Sequence, residues 1–246
     1  IEHSFWDAVP HLWRGMDKLL RDNTGHPLPL GSAPIRLSSW MGGDRDGNPN
    51  VTAVVTEEVM RLARWMAADL YLRDIDELLA QLSMSLCSPA LADMAGNATS
   101  EPYRVVLRNV RQRLEATREW AETSDSPGPE VILERGVLEA PLRACYDSLH
   151  ESGMGIIADG LLKTTLIRVA SFGVTLVNLD VRQNSDRHED LMGAITSFLE
   201  LGDYRDWSEK ARQDFLATEL GTRRPLIPDD LTLNDEQQET LDTFRL

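Results

Sequence analysis

The sequence predicts a mainly α-helical protein with a few parallel strands. Most of its 246 residues fall into segments whose apolar side chains recur at three- and four-residue steps, the spacing of one buried helix face. Two short stretches, 35–40 and 174–181, are predicted as strands because the first alternates and the second is largely apolar. Polar sequence follows each stretch where a strand would give way to a helix, a place where ligands often bind.

The chain begins in one helical pattern and ends in another, with further helices between them. Eight helices are predicted, over 1–22, 51–84, from 102, 136–152, 161–171, 186–200, 208–220 and from 234. Gly153 and Gly173 are expected to follow helix ends, and Asp159 to cap the helix that starts at Leu161. Asn234 with Gln237 predicts a capping box.

The same spacing predicts which side chains are buried. The first helix is expected to bury Phe5, Val9, Leu12, Met16 and Leu19, and the second Val55, Val59, Leu62, Met66, Leu70 and Leu78. The third helix is expected to bury Tyr103, Val106, Val110, Leu114 and Thr117, and the helix that begins at residue 136 Leu138, Leu142, Cys145 and Leu149. The third helix also carries arginines, interpreted as a solvated or salt-bridged face: Arg104, Arg108, Arg111, Arg113 and Arg118.

The composition argues against a nucleic-acid-binding protein and against a membrane-spanning one. With 40 acidic and 25 basic residues the formal net charge is −15, which argues against a nucleic-acid surface and means that an anionic ligand must be met by locally placed arginines. No apolar run is long enough to span a membrane. Cys87 and Cys145 lack metal-site spacing and fit small core residues in a reducing cytoplasm. Because both ends fall inside helical patterns, we expect a piece of a longer protein.

The first candidate site is the loop 40–50, with three glycines and one proline. A Walker phosphate loop needs lysine after its last glycine, where Asn48 stands, and a calcium loop starting at Asp44 would meet proline and valine at required positions. What remains is Arg45 between Asp44 and Asp46, on a tight path that can aim a guanidinium at an anion. A purely structural turn that caps the next helix remains an open alternative.

The second candidate site follows the strand at 174–181. Arg182 would project from the strand end and could bind phosphate or carboxylate through two hydrogen bonds, while Asp180 could orient it. His188, at a helix start, is interpreted as hydrogen-bonded or exposed rather than as a base or ligand. Asp180, Asp186 and His188 do not have the spacing of a convincing metal triad.

Several runs of the sequence resemble those of phosphoenolpyruvate carboxylases, most closely the bacterial ones. The runs are 39–52, 172–174, 179–185 with Arg187 and His188, 101–104, 153–158 and 224–226. The resemblance extends over nearly the whole chain in order. It implies part of a (β/α)8 barrel with many added helices, in which 1–246 is a central fragment and the strands near 35–41 and 174–182 are early barrel strands.

The resemblance also implies an activity. Family members carboxylate phosphoenolpyruvate with bicarbonate to oxaloacetate and phosphate, using Mg²⁺ or Mn²⁺, and feed the tricarboxylic acid cycle. They are cytoplasmic homotetramers, often regulated by aspartate or malate. The residues implied in substrate binding are Arg182 and Arg45, with Asp44, Asp46, Asn48, Asp180 and Gln183 in support.

The resemblance places the catalytic histidine, an essential lysine and the metal ligands outside this chain, so we expect residues 1–246 alone to be inactive. Two alternatives stay open. One is a non-catalytic helical interaction or regulatory module that uses the arginines of 104–118 as its contact face. The other is a different barrel enzyme that handles phosphoenolpyruvate or pyruvate.

Overall fold

The chain is mainly helical. The computed structural model describes residues 1–2, 4–45, 48, 50–96, 99–123, 125–223 and 225–246. Over that part of the chain it forms ten α-helices, one 3-10 helix and two short strands: α1 Phe5–Thr24, β1 Ser38–Ser39, α2 Ala53–Gln81, α3 Pro89–Ala95, α4 Pro102–Ala121, α5 Arg135–Glu151, α6 Gly155–Ala158, α7 Leu161–Phe172, β2 Asn178–Leu179, α8 Ser185–Phe198, η1 Tyr204–Asp206, α9 Glu209–Leu220 and α10 Asp235–Thr243. The prediction of a mainly helical chain with two parallel strands is confirmed. None of the helices described here has the length and apolar character needed to cross a membrane.

The chain divides into two compact units. The first consists of 1–39 and 60–178, and the second of 40–59 and 179–246. Within the first unit, the amide of Asn178 donates a 3.0 Å hydrogen bond to the carbonyl of Leu37, which pairs the beginnings of the two strands.

The strands are much shorter than predicted. Of the strand predicted over 174–181, only Asn178 and Leu179 form a strand, and of the one predicted over 35–40, only Ser38 and Ser39 do. The second strand is shorter than predicted because Leu176 has a φ of +62°, which is incompatible with extended backbone. The amide of Val177 bonds the carbonyl of Thr175 at 2.7 Å, so the chain turns here before the strand begins.

Helix α1 buries a different face from the predicted one. Phe5, Leu12 and Leu19 are 47%, 47% and 63% exposed, so that part of the prediction is wrong. The buried side chains are instead Trp6, Val9, Pro10, Trp13 and Asp17. Both sets fit helical spacing, and the two tryptophans decide between them because each has a larger apolar area to remove from water than phenylalanine or leucine.

The core of the first unit follows the sequence pattern more closely. All five positions predicted for α4 are buried, and the four predicted for α5 are fully buried. In α2, Leu70 and Leu78 are buried as predicted, but Leu62 is 63% exposed. Cys145 is a buried free thiol and Cys87 a partly buried one, which confirms their interpretation as unpaired core residues.

Helix ends mostly follow the predicted signals. Gly173 comes directly after the end of α7, and Gly153 follows α5 after one intervening residue, Ser152; both glycines have positive φ. Asn234 and Gln237 form the predicted capping box at the start of α10. The cap predicted for α7 is wrong, because Gly160 occupies the N-cap position and Asp159 instead accepts a 2.8 Å hydrogen bond from the hydroxyl of Tyr146.

The arginines of α4 are salt-bridged, as predicted. Arg111 lies 2.7 Å from both Asp76 and Glu115, and Arg118 lies 2.9 Å from Asp69. The others also have acidic partners in the first unit: Arg104 and Arg108 with Glu101, and Arg113 with Glu130.

A buried ion pair joins three helices of the first unit. Arg168 of α7 is 6% exposed and donates to Asp74 of α2 and to Asp7 of α1, each at 2.7 Å. Its guanidinium also lies 4.9 Å from the ring centre of Trp6. Burial raises the pKa of Asp74, and Arg168 opposes that shift. Arg168 therefore offsets part of the cost of burying a carboxylate that would be costly without a partner.

The second unit has a smaller core. Leu191 and Ile195 of α8 pack with Leu241 of α10, and partly buried apolar side chains surround them. Helices α8 and α10 therefore form the support for the residues that follow β2.

We predict that Arg168→Leu lowers the free energy of unfolding by about 3–5 kcal/mol, because it leaves Asp74 buried without its cation. Urea denaturation followed by circular dichroism measures this. Arg108→Leu, at an arginine with a 60% exposed side chain, is the control and should change the value by less than about 0.5 kcal/mol. An equally small effect of both changes would contradict the assigned role.

Candidate functional site

Two backbone hydrogen bonds in the second unit join the glycine-rich loop to the residue after β2. The amide of Arg182 donates to the carbonyl of Gly43 at 2.8 Å, and the amide of Arg45 donates to the carbonyl of Arg182 at 3.4 Å. Asp44 and Arg182 thereby form a parallel bridge. The two predicted site segments, far apart in sequence, are thus adjacent through their main chains.

This pairing depends on glycine at two positions. A Cβ on Gly43 would lie 2.4 Å from the carbonyl oxygen of Asp180, closer than any side chain can approach. A Cβ on Gly42, whose φ is +81°, would lie 2.5 Å from a methyl group of Val59. Only glycine permits both the left-handed turn and the close approach of the two main chains.

The side chain of Arg182 is held at the surface in a defined orientation. Its Nε and Nη2 donate to Oδ2 of Asp180 at 3.0 and 2.7 Å. Its guanidinium lies 4.8 Å from the ring centre of Trp40, a cation–π contact. The hydrogen bond with Asp180 raises the pKa of Arg182 further, with a smaller contribution from Asp44. Arg182 is therefore a fixed, permanently charged group that remains 52% exposed.

The side chain of Arg45 is buried instead. Its Nη2 donates to the hydroxyl of Thr56 at 2.7 Å, and its Nη1 donates to the carbonyl of Gly43 at 3.2 Å. Its Nε lies 3.8 Å from a carboxylate oxygen of Glu239. Burial lowers the pKa of Arg45, and Glu239 opposes that shift.

A cleft of about 510 Å³ opens beside Arg45 in the second unit. The residues that line it are Arg45, Asn48, Val51, Gln183, Asn184, Arg187, Asp235, Glu236, Glu239 and Thr240. Three carboxylates face two guanidinium groups, and Arg187 is already paired with Glu236. This balance does not favour a highly charged anion inside the cleft.

The predicted site residues therefore divide into groups. Asp180 and Arg182 bond each other, and Asp44 contributes its main chain to the bridge. Asn48 and Gln183 line the cleft together with Arg45. Arg182 is not among the described residues that line it. Asp46, although predicted as a supporting residue, lies outside the described residues.

His188 lies against an aromatic ring. Its ring centre lies 5.0 Å from that of Phe244. Among the described residues, no group of three or more histidine, cysteine, aspartate or glutamate side chains could hold a metal ion. The described part of the chain thus does not fit a metal centre.

Sequence reasoning missed three residues that contact the predicted ones. Trp40 belongs to the loop but was not identified as a partner of Arg182. Thr56 is a fully buried polar residue in the first turn of α2, but its burial is visible only in the structure. Glu239 is far along the chain in α10, and no sequence pattern connects it with Arg45.

Comparison with known proteins covers the full chain. The family model described as "Phosphoenolpyruvate carboxylase" matches residues 1–246. Proteins named phosphoenolpyruvate carboxylase are 56% identical over 249 residues in a strain of Pseudomonas fluorescens, 53% over 250 in Pseudomonas aeruginosa and 53% over 249 in Ectopseudomonas mendocina. Each comparison covers 100% of this chain and 28% of the relative. The chain belongs to the phosphoenolpyruvate carboxylase family.

Proposed function

We propose that this chain forms part of a phosphoenolpyruvate carboxylase, in which it supplies a substrate-binding arginine. The observation that carries the proposal is the family match over residues 1–246 together with 53–56% identity to named carboxylases. Because the chain spans 28% of the length of those relatives, the reaction is assigned to the complete protein rather than to these residues alone.

The reaction explains why a fixed arginine is useful. Bicarbonate attacks the phosphoryl group of phosphoenolpyruvate to give carboxyphosphate and the enolate of pyruvate, and the enolate then captures carbon dioxide with release of phosphate. Phosphate, carboxylate and enolate oxygens all carry negative charge, and oriented donors stabilise that charge without reorganisation. We assign this role to Arg182.

The geometry of Arg182 supports this assignment. The hydrogen bonds to Asp180 use Nε and one of the two terminal nitrogens, whereas a guanidinium has five N–H donors. Donors therefore remain for an anion while Asp180 and Trp40 hold the group in place. Arg45 has less freedom for direct contact, because its side chain is buried and both of its terminal nitrogens bond the protein.

The remaining properties of the family are part of the same proposal. We place residues 1–246 in a (β/α)8 barrel, with β1 and β2 as early barrel strands. We propose a cytoplasmic homotetramer that depends on Mg²⁺ or Mn²⁺ and is controlled by metabolites. Since the described residues do not fit a metal centre, we assign the metal ligands, the catalytic histidine and the essential lysine to parts of the protein outside this chain.

The complete protein that carries this chain is expected to form oxaloacetate from phosphoenolpyruvate and bicarbonate. An assay that couples oxaloacetate to malate dehydrogenase and follows NADH measures this. Residues 1–246 alone should give no turnover. Turnover by the 246-residue chain, or none by the complete protein, would contradict the proposal.

In the complete protein, Arg182→Ala is expected to lower kcat/KM for phosphoenolpyruvate about 100-fold, because one fixed donor to the reacting anion is lost. Steady-state kinetics at varied phosphoenolpyruvate concentration give this value. The matched control is Arg205→Ala, since Arg205 has the same 52% exposure and also bonds an aspartate two residues earlier. Wild-type kinetics in Arg182→Ala would remove Arg182 from the site.

Gly43→Ala should also abolish most activity, because its methyl group would force the loop away from Asp180 and break the bond to Arg182. Gly128→Ala is the control, as a Cβ there meets nothing within 4 Å. Activity and melting temperature are measured for both variants. A fully active Gly43→Ala enzyme would show that the main-chain pairing is dispensable.

A further inference from the structure

We propose that Thr56 and Glu239 are positioning residues for phosphoenolpyruvate binding, and that they act through Arg45 on the main chain of Arg182. We call Arg45, Thr56 and Glu239 the Arg45 brace. The inference rests on the proposed function, and it assigns roles to two residues outside the candidate site predicted from sequence.

Thr56 connects Arg45 to the glycine-rich loop. Its hydroxyl donates to the carbonyl of Gly42 at 2.7 Å and accepts from Nη2 of Arg45 at 2.7 Å. The residue is fully buried, so water cannot replace either partner. The hydroxyl has a single proton and two carbonyl acceptors, that of Gly42 at 2.7 Å and that of Thr52 at 3.1 Å, while a lone pair receives the guanidinium.

Glu239 connects Arg45 to two helices. Its Oε1 accepts the amide of Ala53 at 2.5 Å, the first residue of α2, and lies 3.8 Å from Nε of Arg45. A carboxylate at a helix N-terminus is favourable, and the same charge offsets the buried guanidinium. Among the described residues, Nε of Arg45 has no hydrogen-bond partner, so Glu239 provides the compensating charge on that side.

The brace ends at Arg182. The amide of Arg45 bonds the carbonyl of Arg182, and the carbonyl of Gly43 accepts both from the amide of Arg182 and from the side chain of Arg45. The loop that Arg45 holds is therefore the loop that holds Arg182. Because a donor that is held in place in advance binds more tightly than one that must be ordered on binding, loosening this loop should weaken substrate binding without removing any group that touches substrate.

The test is a set of Thr56 variants in the complete enzyme. Thr56→Val keeps the shape and removes the hydroxyl, and we expect the KM for phosphoenolpyruvate to rise about tenfold while the KM for bicarbonate stays unchanged. Thr56→Ser keeps the hydroxyl and should restore a KM near the wild-type value. Thr196→Val is the control, since Thr196 is a fully buried threonine of the same unit away from the brace.

Coupling to Arg182 is tested in a double-variant cycle. If Thr56 acts through Arg182, Thr56→Val should have little further effect on the KM for phosphoenolpyruvate in an Arg182→Ala enzyme. Equal effects in both backgrounds would overturn the inference. So would a loss of kcat at unchanged KM in Thr56→Val, which is the result expected if the hydroxyl only maintains the folded fraction.

Glu239→Gln gives an independent measurement should Thr56→Val fail to fold. It retains an acceptor for Ala53 but removes the charge facing Arg45, and we expect the KM for phosphoenolpyruvate to rise several-fold. An unchanged KM in this variant would overturn the role of Glu239. An inactive wild-type enzyme would instead refute the proposed carboxylase function, so the two failures are distinguishable.

Discussion

The candidate site depends on one close approach between main chains, at Gly43. Its carbonyl accepts the amide of Arg182, and the absence of a side chain lets the carbonyl oxygen of Asp180 come within 2.4 Å of where a Cβ would be. Any larger residue would separate the loop from the strand end. In the part of the chain that the structure describes, the side chain of Arg182 bonds Asp180 and lies over Trp40, so this backbone contact and the two side chains together set its position.

Three arginines illustrate how burial decides the role of a cation in this acidic chain. Arg168 is buried, pairs with the buried Asp74 and the exposed Asp7, and stabilises a helical core. Arg45 is buried with a hydroxyl, a carbonyl and one nearby carboxylate, so its charge is largely used internally. Arg182 has one aspartate and an aromatic ring but stays half exposed. Of the three, Arg182 has the most capacity for an external anion.

Much of the fold could be predicted from local pattern, and the failures share a cause. The buried faces of α4 and α5 were predicted correctly because each helix has one apolar stripe. Helix α1 has two, and only tertiary packing selects the one with Trp6 and Trp13. The run 174–177 resembles a strand in composition, yet Leu176 adopts a positive φ that composition does not indicate.

The site was predictable only to the extent that its members are close in sequence. Asp180 lies two residues from Arg182, and their contact follows from strand geometry, whereas Glu239 and Arg45 meet through the packing of α10. The two interpretations of the glycine-rich loop, an anion site or a structural turn, are also less opposed than the sequence suggests. A loop whose arginine is directed inward is structural in its own contacts, and it also fixes the main chain of Arg182, the residue proposed to bind substrate.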